Sequence, residues 1–234
     1  MEKTRTIRTW GSFLLLLLLL FVFLIWNVLA GSVKLPVSEI LEILRGRGDG
    51  TQSRILLQIR LPRLLSALIL GGALSVSGYL LQTFFHNPIA GPFVLGISSG
   101  AKLCVSIVMI LLLSRGLVSS SAVLIAAAFV GAMGSMGFVL AVSQKVKRMS
   151  MLVICGVMIG YICTAATDLL VTFADDSNIV NLHNWSMGSF SGMSWENVRT
   201  MALVCGAALV LVFFLSQPIR AYQLGEVYAQ NLGV

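Results

Sequence analysis

The chain has 234 residues, 57% of them hydrophobic and 11% charged, with a mean hydropathy of +0.94, a net charge of +7 and a pI near 9.6. Soluble domains carry about a quarter charged residues. Too few polar groups exist here to cover a water-facing surface, which excludes a soluble enzyme. In lipid every backbone amide needs an internal partner, so spans are helices or closed barrels. The apolar runs are long and continuous, without period-two alternation, and they select helices. The fold class is all-α, a polytopic transmembrane helix bundle.

The basic balance fits Lys and Arg held in cytoplasmic loops. No Arg-rich face with interleaved aromatics points to nucleic acid. Cys104, Cys155, Cys163 and Cys205 all sit in apolar stretches with no CxxC or Cys/His cluster. They read as small buried side chains rather than as a disulfide framework or a metal site. No cofactor and no metal is expected.

Residues 1–11 form a basic tail with Lys3, Arg5 and Arg8. The apolar run 12–30 resembles a signal peptide, with Val28-Leu29-Ala30 as a weak cleavage pattern. It exceeds the usual h-region of about 7–15 residues and is long enough to span. It reads as a retained first helix. Between 31 and 60 lies the longest polar stretch, broken by Pro36, Gly46, Gly48 and Gly50. Within it Val37, Ile40, Leu41 and Leu44 recur at helical spacing, which predicts a short amphipathic interfacial helix followed by a loop.

The second span is 61–85. Gly71, Gly72 and Gly78 lie in its small-residue core and predict close helix packing, as do Gly96 and Gly100 further on. HNPIAGP at 86–92 breaks the helix. Spans three to five are 95–113, 118–142 and 151–173, with the basic KVKR loop at 145–148 between the last two. The stretch 175–197 is polar and reads as extracytoplasmic. The sixth span is 198–215. Six spans with a cytoplasmic N-terminus place the C-terminus inside too, with KVKR and Arg220. The 31–63 segment disagrees: this topology puts Lys34, Arg45, Arg47, Arg54, Arg60 and Arg63 outside, against the positive-inside rule.

GISSG at 96–100 matches the nucleophile elbow, but that motif needs a strand-turn-helix setting. Here it opens an apolar helix, and Ser98 reads as a helix-start or packing residue. No catalytic residue is assigned, and an intramembrane hydrolase is the less favoured reading. No Walker A sequence occurs, so ATP hydrolysis would lie on a separate subunit. Asp168 is an acid within a span, a functional position by default. It also lies within reach of the outer interface, and both readings stand. Lys102, near an inner end, leans towards simple snorkelling.

Three segments together carry a resemblance: RLPR at 60–63, GGALSVSGYLLQ at 71–82 and HNPIAGPFVLGISSGA at 86–101. Their order and spacing resemble the FecCD-type permease subunits of ABC importers for iron-siderophores, haem and cobalamin. Arg60, Pro62, Arg63, Gly71, Leu74, Gly78, Gln82, Asn87, Pro88, Ala90, Pro92, Leu95, Gly96, Gly100 and Ala101 match the family pattern, and Ile89 stands where Leu is usual. Trp185 and Gly188 fit its W-x-x-G, Trp195 fits the aromatic that follows, and LGEVYAQNLGV at 224–234 fits its L-G-E-x-x-A-x-x-L-G-V.

The resemblance implies a ten-helix permease working as a dimer, with ABC ATPase subunits below and an extracytoplasmic substrate-binding protein above. It implies a multi-pass protein of the cell membrane carrying an iron-chelate, haem or cobalamin. It assigns a cytoplasmic gate to Asn87, Pro88 and Leu95, with Met149 and Ser150. It makes 224–234 a cytoplasmic coupling helix, with Gly225, Glu226, Ala229, Leu232 and Gly233 meeting the ATPase. Arg54, Arg60 and Arg63 become candidates for docking the binding protein, by side and charge. The sequence carries six spans of the normal ten. The alternative is a truncated, transport-incompetent fragment or assembly scaffold, and the 234 residues alone are expected not to transport.

Overall fold

The computed structural model describes residues 2–47, 50–88, 91–113, 121–145, 149–231 and 233. Every regular element among them is helical. Eleven α-helices occur: α1 Glu2–Leu29, α2 Val37–Leu44, α3 Thr51–Arg54, α4 Leu61–Phe85, α5 Ile97–Leu113, α6 Ser121–Ser143, α7 Met149–Thr172, α8 Asp176–Met187, α9 Trp195–Phe214, α10 Ser216–Gln223 and α11 Glu226–Asn231. A π-helical turn, Ile55–Arg60, joins α3 to α4, and a 3-10 turn, Pro92–Leu95, precedes α5. Five stretches are long and apolar enough to cross a membrane: Thr6–Leu29, Thr51–Phe85, Ala122–Ser143, Met151–Thr172 and Trp195–Phe214. At 17 residues, α5 lies at the lower end of the spanning range. With α5 these helices are roughly consistent with the six expected spans, and the four cysteines in them are free thiols.

The described residues fall into two compact units, 1–73 with 190–210 and 74–189 with 211–234. In the first, α2 lays Ile40 and Ile43 against Leu35 and Leu56, with Val28 and Leu57 packed beside them. The expected short helix forms, but its buried face is Ile40 with Ile43, whereas Val37, Leu41 and Leu44 of the expected stripe are exposed. The loop expected after it is shorter than the sequence suggested. The helix resumes at Thr51, ten residues before Leu61, because Leu56 is drawn into that apolar cluster.

The π-turn disturbs the regular ladder and needs outside partners. Trp195 donates its indole Nε1–H to the Leu57 carbonyl at 2.8 Å. Arg63 donates Nε–H to the Phe190 carbonyl at 3.3 Å and Nη2–H to that of Ser191 at 3.4 Å. Of these contacts only the Trp195 bond reaches the π-turn itself, while those of Arg63 fasten the start of α4 to the segment before α9; single π-turns concentrate at functional places. Trp195→Phe keeps the aromatic packing and removes the donor. It should cost about 1 kcal/mol, read as a lower melting temperature in detergent. An unchanged melt would show that water serves the Leu57 carbonyl equally well.

Arg60 departs from its expected role. It was a candidate for the docking surface, yet it is 7% exposed. Its Nη1 donates to the Val28 carbonyl at 2.5 Å and, more loosely, to that of Leu29 at 3.4 Å, and its Nη2 donates to Val33. The last turn of α1 leaves carbonyls without helical partners and carries the negative end of the helix dipole. A forked cation answers both needs at once. Gly31 fits this site because a Cβ there would lie 2.8 Å from the guanidinium carbon.

In the second unit α5 is central. It packs against α6, α7 and α8, and α6 packs against α7. The α8 helix lies inside the stretch read from sequence only as polar. Its buried Leu182 meets Val105 and Met109 of α5, and Trp185 packs beside them.

Candidate gate and coupling segment

The second unit carries most residues that the sequence assigned to a gate and to coupling. The α4 helix ends in a Schellman turn, with the His86 amide donating to Thr83 at 3.2 Å and the Asn87 amide to Gln82 at 3.1 Å. The left-handed position of that turn is taken by His86, with φ 49°, rather than by glycine. Asn87 and Pro88 follow it and are exposed. Ile89 and Ala90 lie outside the described residues, as do 114–120 and the KVKR residues 146–148.

Leu95 does not share the exposure of Asn87 and Pro88. It is 1% exposed and sits among Phe85, Val139 and Leu152, with Leu81, Ile97, Met136, Val153 and Ile159 around them. Expected at the gate, it anchors the segment that returns from the break into α5. Met149 and Ser150 open α7, and their side chains lie outside the described residues.

Gly96 turns the chain from the 3-10 turn into α5 with φ +68°. A Cβ there would stand 2.7 Å from the Gly156 carbonyl oxygen and 2.8 Å from the Gly160 amide nitrogen. Only glycine accepts both the left-handed conformation and this backbone approach. One turn later, a Cβ on Gly100 would lie 2.6 Å from the Gly131 carbonyl oxygen. Gly131, Gly156 and Gly160 were missed in the sequence. The G-x-x-x-G spacing at 156–160 was a signal for the last two. Gly71, Gly72 and Gly78 behave differently: a Cβ on any of them meets nothing within 4 Å among the described residues. Small residues permit a close approach, and among the described residues no atom comes that near to these three positions.

The C-terminal segment folds as two short helices. Pro218 is accommodated in the first turn of α10. Gly225, with φ +121°, separates α10 from α11, and the two pack together with Ala229 only 3% exposed. The expected coupling helix is thus α11, and Gly233 turns after it with φ +79°. The Glu226 side chain and Leu232 lie outside the described residues.

Tyr222 and Gln223 of α10 reach the end of α4. Gln223 Nε2 lies 2.5 Å from the Tyr79 hydroxyl and 3.2 Å from Thr83 Oγ1, one helical turn apart. The Tyr222 ring stacks on Phe84 with centroids 6.2 Å apart and planes 13° apart, and it meets His86 at 5.2 Å. Between α5 and α7, Thr164 Oγ1 lies 3.4 Å from Ser99 Oγ and donates to its own helix at the Gly160 carbonyl, 2.9 Å away. Ser98 is exposed on the helical start of α5, with no strand before it among the described residues. The elbow motif therefore lacks the setting that gives such a serine its chemistry.

Long apolar helices, one of them interrupted and returned into a close-packed core, define a multi-pass helical membrane protein of the permease type. The FecCD transport family model matches residues 17–234, and the chain belongs to that family. It is 35% identical over 232 residues to the vitamin B12 import system permease protein BtuC of Klebsiella pneumoniae, covering 99% of this chain and 66% of that one. It is 33% identical over 181 residues to the hemin transport system permease protein HmuU of Yersinia pestis, covering 77% and 54%. Among solved structures, one described as an inward-facing conformation of a metal-chelate type ABC transporter superposes with a TM-score of 0.78 at 27% identity. That superposition covers 94% of this chain and 66% of that one. The chain thus spans just under two thirds of the length of the first two of these comparisons that cover it almost fully.

Proposed function

We propose that the chain acts as a permease subunit of a binding-protein-dependent ABC importer. It moves a metal-chelate, haem or a corrinoid across the cytoplasmic membrane, driven by separate ATPase subunits. The observation that carries this reading is the family match over 17–234, with relatives named for vitamin B12 and hemin import. The break after α4 supports a gate: irregular backbone at membrane depth is tolerated where protein buries it or a cavity wets it. Asn87 and Pro88 form the exposed part of that gate, and Leu95 sets its position. The segment that carries Gly225, Glu226, Ala229, Leu232 and Gly233 meets the ATPase, with Ala229 holding α11 against α10. The N-terminus is cytoplasmic. A second permease copy completes the pathway, lipid surrounds it, and a binding protein docks outside. Of the three arginines, Arg54 and Arg63 fit that docking, since Arg60 is engaged inside the fold.

The test uses the 234-residue chain in proteoliposomes with the matching ATPase and binding protein. Association of the ATPase with the membranes, weakened by Val227→Asp on the exposed face of α11, is the expected result. Failure of the ATPase and the binding protein to associate with the parent chain would overturn the permease reading. Uptake of labelled cobalamin, haem and a ferric siderophore, each with and without ATP, names the cargo.

A further inference from the structure

The contacts that α10 makes with the end of α4 form a continuous path of packed side chains. It begins at α11, which packs on α10. It passes from Tyr222 to Phe84 by stacking and to His86 by a tilted ring contact. Phe84 meets Phe85 edge to face, with centroids 5.1 Å apart and planes 86° apart. Phe85 is buried against Leu95, Val139 and Leu152. Beside this path Gln223 holds Tyr79 and Thr83 on the same face of α4. All of these residues belong to one compact unit.

Tyr222 touches the residues on which the break depends. His86 holds the left-handed position of the turn that ends α4, a conformation that a side chain adopts less readily than glycine. Asn87 and Pro88 follow immediately. Displacing the ring would therefore act on the turn that aims the exposed segment. On the other side of the path, Gly225 lets α11 change direction against α10, since its φ of +121° is open to glycine alone.

We infer that Tyr222 and Gln223 are positioning residues that tie the movement of α11 to the conformation of the His86–Pro88 turn. The inference rests on the permease reading above and specifies the side chains through which coupling reaches the gate. Packed side chains transmit displacement because cores deform little, and a chain of contacts has to be tested by breaking it.

The test places a reporter cysteine by Asn87→Cys in the full chain, assembled with its ATPase in membranes. The rate of labelling by a membrane-impermeant maleimide is measured with and without ATP and vanadate, against the chain lacking the reporter. A several-fold nucleotide effect is expected in the reporter chain. Tyr222→Ala with Gln223→Ala should bring that ratio close to one while ATPase association stays unchanged. Tyr222→Phe, which keeps the stacking ring, should retain it and guards against misfolding of the double variant. A full nucleotide effect in the double variant would overturn the inference, as would an assembled parent whose labelling ignores nucleotide. Absence of ATPase association in the parent would instead overturn the permease reading, and the inference with it.

Discussion

Gly96→Ala should destabilise the second unit by about 2–5 kcal/mol, from two costs that add. The left-handed backbone at φ +68° costs a residue with a Cβ about 1–2 kcal/mol. Overpacking of a close core costs about 1–3 kcal/mol more. The methyl would press on the Gly156 carbonyl and the Gly160 amide, both backbone atoms of α7, so no rotamer change relieves it. Gly78→Ala is the matched control, since open space lies around that position. There alanine should be neutral or stabilise the helix by up to about 1 kcal/mol. Thermal unfolding in detergent compares the two. Equal melting temperatures for both variants and the parent would show that α7 can move away from Gly96 without cost.

Removing the Arg60 guanidinium should loosen the first unit by about 2 kcal/mol. Arg60→Met keeps much of the apolar stem but leaves the Val28, Leu29 and Val33 carbonyls without their donor. Burying an unpaired carbonyl costs about 1–3 kcal/mol. Relief from holding a buried cation offsets part of that cost. Arg60→Lys should recover little, because one ammonium does not reproduce a fork spread over carbonyls in two turns of chain. A loss of about 2 kcal/mol raises the open population roughly thirtyfold. Protease cleavage within residues 30–36 reads that opening, and unchanged cleavage in Arg60→Met would exclude the clasp.

The two arginines of RLPR show where sequence reasoning reaches and where it stops. Their charge and their place before a long apolar run are visible in the chain. Which of them turns inward depends on the end of α1, some thirty residues away, and on a π-turn that no local pattern announces. The long apolar helices were legible because lipid demands length and apolarity in one continuous segment. The α8 helix was not, because most of its residues are polar and its packing rests chiefly on Leu182 and Trp185. Among glycines, composition marked Gly71, Gly72 and Gly78 as readily as Gly96 and Gly100. The difference lies in which neighbour arrives, and that is a property of the tertiary arrangement. The segment proposed for coupling was visible in LGEVYAQNLGV, whereas its attachment through Tyr222 and Gln223 required the fold. Leu95 was found by motif, and only the surrounding cluster shows that it is buried among Phe85, Val139 and Leu152.

The clasp on α1 also has a consequence in time. Among the described residues none in the most apolar stretch of α1 is buried, a surface suited to lipid or to another helix. Arg60 follows Val28 by 32 residues. At about 5–20 residues per second of synthesis, its guanidinium emerges on the order of 2–6 s after the carbonyls it will bind. For that interval α1 is an unfastened helix whose last turn has no protein donor. A factor that slows elongation or competes for the first helix therefore has a window of seconds in which to act, and the window closes when one arginine arrives.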